Sequence, residues 1–261
     1  MIRKFLNYLR FFGVKSVVCS LCGRSIRNAT LDRFLPDFAG KRGLEIGGPS
    51  HVFTSGGIFP VYPAVESLDN CTFSSHTIWQ KDLPTGKTFQ FDPEKQPGFQ
   101  YIADSTNLSQ IQSEKYDFVL SSHAIEHFAN TIKALHEWLR ILKQDGLLLL
   151  VVPFAYTTFD SKRPATTLAH IIDDFKTNVA EDDITHLEEA ILLHDFQFDA
   201  STTSQEELEL RLRDNFNTRC LHHHVFTSKL VGELLTYVGF EILALEMVFP
   251  HHIVAVGKKR G

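Results

Sequence analysis

The sequence predicts an α/β fold built on a mostly parallel sheet, and three observations predict it. Strand-like and helix-like segments alternate from about residue 43 to 153, the pattern of strands joined by crossover helices. The run "LLLLVVP" (147–153) is apolar without a break, as a parallel strand covered on both faces must be. The stretch "GLEIGGPSHVF" (43–53) puts two glycines directly after a short apolar strand, where an open α/β sheet binds its ligand.

Taken in order, residues 1–40 read as an N-terminal helical extension. Its start, "MIRKFLNYLRFFGVKSVVC", is basic and apolar but lacks a clean apolar core followed by a small-residue cleavage site. It therefore reads as an amphipathic helix packed on its own domain, not as a signal peptide, with a membrane-surface contact as the less favoured alternative. "KRGLEIGG" is the first strand. "IFPVYPAVESLDN" (58–70) holds the second, ending in acids, and "FQYIADSTNL" (99–108) the third, ending at Asp104. "YDFVLSSHAIEHF" (116–128) is the fourth. Ile132, Leu135, Leu139 and Leu142 then share one helical face, and Gly146 is placed to end that helix in a left-handed conformation. Residues 41–154 form the ligand-binding half of the sheet. Residues 155–226 are polar, rich in histidine and acid, and helical in pattern. They are too long for a simple crossover and read as a helical cap insert. Residues 227–261 read as a helix, Gly239 and a β-hairpin that completes the sheet.

Composition narrows the function classes. Of 261 residues, 43% are hydrophobic and 22% charged, and 26 basic against 31 acidic residues leave a net charge of −5. There is no basic excess to hold a nucleic acid, and no run nears the roughly 18 apolar residues of a membrane span. Of Cys19, Cys22, Cys71 and Cys220, the first two form a CxxC, but a structural zinc needs a second pair and none exists. Reduced thiols in a cytoplasmic protein are expected.

The glycine turn carries the chemistry. Without a Cβ at Gly47 and Gly48, a ligand can approach the backbone closely. The dinucleotide fingerprint G-x-G-x-x-G is absent, because Pro49 and Ser50 follow and the next glycines are Gly56 and Gly57. Glu45, two residues before the turn, would repel a pyrophosphate and suits a cationic ligand. Asp69, at the end of the second strand, is placed to accept hydrogen bonds from a ribose, with Glu66 as the alternative. Asp104 ends the third strand, where it would accept from an adenine amino group or cap the next helix.

"LEIGGPS", "ESLDN", "YIADSTNL", "YDFVLSSHAIEHF" and "LRILKQDGLLLLVVP" together resemble the successive motifs of a class I S-adenosylmethionine-dependent methyltransferase. The resemblance covers about 43–153, and the terminal helix and hairpin fit it. It implies a Rossmann-like, seven-stranded, mostly parallel sheet with a terminal antiparallel hairpin, and S-adenosyl-L-methionine as cofactor. It further implies that Glu45, Gly47, Gly48 and Pro49 form the first motif, with Gly47 against the methionine part. Asp69 would bind the ribose, Asp104 and Ser105 would lie near the adenine, and Ser121, Ser122 and His123 would line the cofactor beside the reacting methyl.

The methyl on a sulfonium is already electrophilic, so the enzyme must align the acceptor and take a hydroxyl proton. His123 is the expected base, with Asp160 and His223 as further catalytic candidates from the insert. The insert histidines read as a salt-bridged, solvated face, so no metal is expected, although a divalent ion on Asp160, His186 or the triple histidine is the alternative. "TFDSKRPAT" and "HHHVF" are similar to a bacterial subgroup associated with sugar and cell-surface polysaccharide synthesis, which implies a small-molecule or glycan acceptor. The rival readings are a nicotinamide oxidoreductase on a similar sheet and a non-catalytic binding protein that kept the fold.

Overall fold

The computed structural model describes residues 2–21, 28–199, 202 and 204–261. The Cys19 and Cys22 thiols of the CxxC lie outside the described residues. The chain opens with α1 (Ile2–Leu21), kinked at Gly13, and two single turns, α2 (Ala29–Asp32) and α3 (Leu35–Phe38). The sheet half follows with β1 (Arg42–Ile46), β2 (Ser67–Thr72), β3 (Gly86–Phe89), β4 (Gly98–Ile102), β5 (Tyr116–Ser122), α4 (Thr131–Ile141) and β6 (Leu142–Pro153). Among the described residues, four α-helices lie in the 155–226 segment: α5 (Leu168–Lys176), α6 (Leu187–Leu192), α7 (Gln205–Arg213) and α8 (Asn215–Thr218). The chain closes with α9 (Ser228–Val238), β7 (Phe240–Val248) and β8 (His252–Lys259).

The eight strands form one sheet in the order β3-β4-β2-β1-β5-β6-β8-β7. β4, β2, β1, β5 and β6 run parallel, while β3, β8 and β7 pair antiparallel at the two sides. The strand order therefore reverses between β1 and β5, which places the ligand crevice at the carboxyl ends of those two strands. The sheet holds one strand more than the expected seven. The extra strand, β3, is a short edge strand in which Lys87 and Thr88 are exposed, so no apolar alternation marks it.

β6 explains its own composition. Leu148, Leu150 and Val152 join one core with Trp138 of α4 and Leu234 of α9. Leu147, Leu149 and Val151 join the opposite core with Phe38, Phe59 and Phe118. A strand buried on both faces has no solvent side on which to place a polar residue. The helix before it begins at Asn130, whose side chain accepts from Lys133 N at 3.1 Å, and it ends at Ile141, not at Gly146. The left-handed residue that follows is Asp145, within the first residues of β6, with φ 61°.

α1 packs on the protein through Tyr8, Phe11 and Phe12, which meet Phe154 and Phe249, while Phe5, Leu6, Val14 and Val18 are exposed. Among the described residues no helix is long and apolar enough to cross a membrane.

Candidate active site

The turn after β1 is bare for two separate reasons. Gly47 has φ 81°, a left-handed conformation that a side chain disfavours. Gly48 has a neighbour instead of a strained backbone: a Cβ there would stand 2.2 Å from the Glu45 carboxyl carbon. Gly48 is also clamped from the other side. Its N–H donates to Asn70 Oδ1 at 3.0 Å, and its carbonyl accepts from Asn70 Nδ2 at 3.2 Å and Gln80 Nε2 at 3.3 Å. Gly48→Ala is expected to destabilise the fold by about 1–3 kcal/mol, as overpacking does. Glu45→Ala in the same chain should recover part of that loss, and a double-mutant cycle on urea midpoints reads the coupling. Strict additivity would show that the clash with Glu45 is not the cause.

Glu45 itself does not face the crevice. It is fully buried and accepts from the Tyr62 hydroxyl at 2.6 Å, while that hydroxyl accepts from Ser50 N at 2.7 Å. Burial raises its pKa from 4.5 to about 7, against the opposing hydrogen bonds of Ser50 and Tyr62. The folded chain thus keeps a proton that the unfolded chain has already released, and this group costs stability as pH rises from about 4.5 to about 7. Glu45→Gln keeps an oxygen for Tyr62 and removes the titration. Over that window its stability should gain about 3 kcal/mol relative to wild type. Denaturant titrations across pH check this, and parallel curves for the two proteins would refute it.

A cavity of about 390 Å³ opens at the carboxyl ends of β1 and β5. Gly47 and Pro49 form its floor, Thr72 and Phe73 follow β2 into it, and Ser105, Trp79, His123 and Arg219 close its sides. A second cavity of about 510 Å³ lies beyond, lined by Glu126, Phe159, His222 and, from α1, Lys4 and Tyr8. The two share Trp79, His123 and His127, so a group held in one meets a group held in the other at that wall.

The expected site residues fall into three sets. Gly47, Pro49, Ser105 and His123 line the first cavity. Gly48 and Glu45 lie behind its floor. Asp104 lies at its rim, where Oδ1 accepts from Thr106 N at 2.9 Å and Oδ2 pairs with Arg219 at 3.2 Å. Ser121 is fully buried in β5 beside β1 and β6, and Ser122 follows it; neither lines a cavity.

Asp69 requires correction. β2 continues three residues beyond it to Thr72, because Asn70, Cys71 and Thr72 are buried within the sheet. The Asp69 carboxylate is occupied away from the crevice by Phe99 N at 2.8 Å, the Tyr116 hydroxyl at 2.7 Å and Lys115 at 3.3 Å. Glu66 pairs with Arg42 at the opposite end of the strand. His223 is the second correction. It is buried, with Nε2 3.2 Å from Asn215 Nδ2 and Nδ1 3.7 Å from Asp183, and its neighbour His222 is the one that lines the second cavity.

His222 Nδ1 lies 2.6 Å from Asp160 Oδ2. Burial pushes the Asp160 pKa up, but His222 and Arg163 together hold it at about 2. An ionised Asp160 can only accept, so Nδ1 donates the hydrogen of this contact. Arg163 donates to Asp160 Oδ1 at 2.9 Å and to the His222 carbonyl at 2.9 Å, fixing both members of the pair. His127 donates Nδ1–H to the Leu221 carbonyl at 3.2 Å. His123 has φ 49°, with Nε2 2.8 Å from His252 Nδ1, and burial lowers its pKa to about 3. Glu126 is fully buried, and neither oxygen has a hydrogen-bond partner among the described residues. Sequence reasoning singled out neither Trp79, Phe73 nor Arg219, which lie in stretches with no periodicity or motif to mark them.

The first cavity suits a nucleoside joined to an amino-acid tail. Its floor carries the left-handed Gly47, its volume is that of a small-molecule site, and it sets apolar Ile46, Phe73 and Phe128 beside polar Thr72, Thr77 and Ser105. The family described as a methyltransferase domain matches residues 23–245. The fold is similar to a candidate methyltransferase of Bacillus halodurans C-125 (TM-score 0.51, 14% identity, 89% of this chain and 98% of that one). It is also similar to a candidate S-adenosylmethionine-dependent methyltransferase of Listeria monocytogenes (0.51, 15%, 88% and 95%). A third, an S-adenosylmethionine-dependent methyltransferase of Mesorhizobium loti, aligns at TM-score 0.50 and 13% identity over 88% of this chain and 95% of that one. No curated protein matches the chain. A methyltransferase-domain match across most of the chain and a sheet with the fold of S-adenosylmethionine-dependent methyltransferases lead to one assignment: the chain belongs to the methyltransferase-domain family.

Proposed function

We propose that the protein methylates a hydroxyl on a small or glycan-linked acceptor, with His222 as general base and Asp160 as the residue that positions it. The observation that carries this reading is the 2.6 Å Asp160–His222 contact in a cavity that shares a wall with the donor cleft. S-adenosylmethionine supplies an electrophilic methyl group when bound. Nε2 of His222 would take the acceptor hydroxyl's proton, leaving its oxygen to displace the sulfonium sulfur, which would depart with the S–C electron pair as S-adenosylhomocysteine. His123 and Trp79 form the wall between the two ligands.

Glu126 supports a polyhydroxyl acceptor. A buried carboxylate without partners is costly, and hydroxyl groups in this cavity would supply the missing donors. The two motifs similar to the sugar-associated subgroup also meet here, since Asp160, Arg163 and His222 form one hydrogen-bonded unit. The free, buried Cys71 and Cys220 fit a reducing, cytoplasmic setting. A screen of nucleotide sugars and glycan intermediates with labelled S-adenosylmethionine tests the reading. Label is expected in a base-stable ether, and methylation confined to amine or thiol acceptors would overturn it.

A further inference from the structure

Outside both cavities, the 155–226 segment brings four side chains to one point. His170 and Asp174 lie one turn apart on α5, His186 immediately precedes α6, and His224 lies on the return toward α9. His170 Nε2 is 3.0 Å from His186 Nε2 and 3.5 Å from Asp174 Oδ2. Asp174 Oδ2 is 3.8 Å from His224 Nε2. The three imidazoles bring one nitrogen each within 4.8 Å of one another.

The cluster is only partly satisfied as it stands: His170 and His186 hydrogen-bond to each other. The His224 side chain is 1% exposed, and neither of its ring nitrogens has a hydrogen-bond partner among the described residues; the same holds for Asp174 Oδ2. Orphaned buried polar atoms of this kind call for an explanation. Tetrahedral zinc, with bonds of about 2.0–2.1 Å to nitrogen and oxygen, sets its ligand atoms roughly 3.3 Å apart. The separations of 3.0, 3.5 and 3.8 Å straddle that value. Three imidazoles and one carboxylate are the donors of zinc, not of the all-oxygen shells of magnesium or calcium.

We propose that His170, Asp174, His186 and His224 form a closed, structural zinc site that pins the insert to the segment carrying His222. None of the four lines either cavity. His224 follows His222 by two residues, and the intervening His223 N–H donates to the Glu126 carbonyl at 2.8 Å. An ion on His224 therefore steadies the backbone on both sides of the acceptor cavity.

Elemental analysis of the full chain, purified without chelator, is expected to find about one zinc per chain, the content of a single closed site. Cobalt substitution should give the intense visible bands of tetrahedral coordination. His186 is half-buried, so His186→Ala should keep the fold. Zinc retention should fall in that variant by at least the roughly 10- to 100-fold that loss of an outer-shell partner costs, and Asp174→Asn should behave alike. Chelation should lower the unfolding midpoint while S-adenosylhomocysteine still binds, which separates this site from the donor cleft. Two results would overturn the proposal. One is a protein that holds no zinc and takes up none in calorimetry. The other is zinc kept by His186→Ala and Asp174→Asn but lost in Glu126→Gln, which would put the ion in the acceptor cavity.

Discussion

Replacing His222 with alanine should lower methyl transfer about 10²- to 10⁴-fold, the range a positioned general base supplies. The affinity for S-adenosylhomocysteine should stay within about two-fold, because the lost interaction belongs to the transition state and not to donor binding. His222 is both placed and held for that role. It lines the acceptor cavity but not the donor cleft, and Asp160 and Arg163 fix its ring and backbone. The competing histidines on the shared wall are poorer bases. Burial lowers the pKa of His123 to about 3, and it pushes that of His127 well below the ordinary value. A loss in kcat with KM unchanged, partly restored by added imidazole, is the expected pattern. Asp160→Asn should also lose kcat, because an amide nitrogen turned toward Nδ1 favours the wrong tautomer. Turnover within about ten-fold of wild type in His222→Ala would remove it from the chemistry.

The difference between His222 and His223 shows where sequence reasoning stops. In an extended segment, consecutive side chains point to different sides. Of the three histidines, His222 meets Asp160, His223 meets Asn215 and Asp183, and His224 meets Asp174. "HHH" states that a polar segment returns here, but the residue that faces the cavity is decided by the separate segments that carry these partners. The glycine turn was legible for the opposite reason. Its constraints are local: a left-handed Gly47, and a Gly48 that must clear Glu45 three residues earlier.

Asp69 failed on a strand boundary. An apolar run followed by acids reads as a strand end, yet β2 runs on through Asn70, which bonds to Gly48 and Gln100 inside the sheet. A polar residue that continues a strand does so because neighbouring strands supply its partners, and a single-strand pattern carries no record of them. The alternation of β6 between two cores, by contrast, needs only its own composition and was plain.

Arg219 carries the second large effect, and nothing in "FNTRC" announces it. It has φ 49° at the end of α8. From there its guanidinium pairs with Glu181 of the insert and with Asp104 beyond β4, and it lies 5.2 Å from the centre of the Phe73 ring. It thus joins the insert to two loops of the donor cleft, which it also lines. Glu181 is almost buried, and burial raises its pKa to about 7 in spite of Arg219. Arg219→Ala should cost about 1–3 kcal/mol of stability, because the buried Glu181 carboxyl loses its hydrogen-bond donor. S-adenosylhomocysteine affinity should fall as well. Glu181→Gln in the same chain separates the two consequences. With the unpaired carboxyl gone, the urea midpoint should recover part of the loss, while the affinity should not, because no guanidinium then reaches Asp104 or covers Phe73. If the double variant regains both, Arg219 is only a counter-charge for Glu181. If it regains stability alone, the insert and the donor cleft are closed by this one side chain.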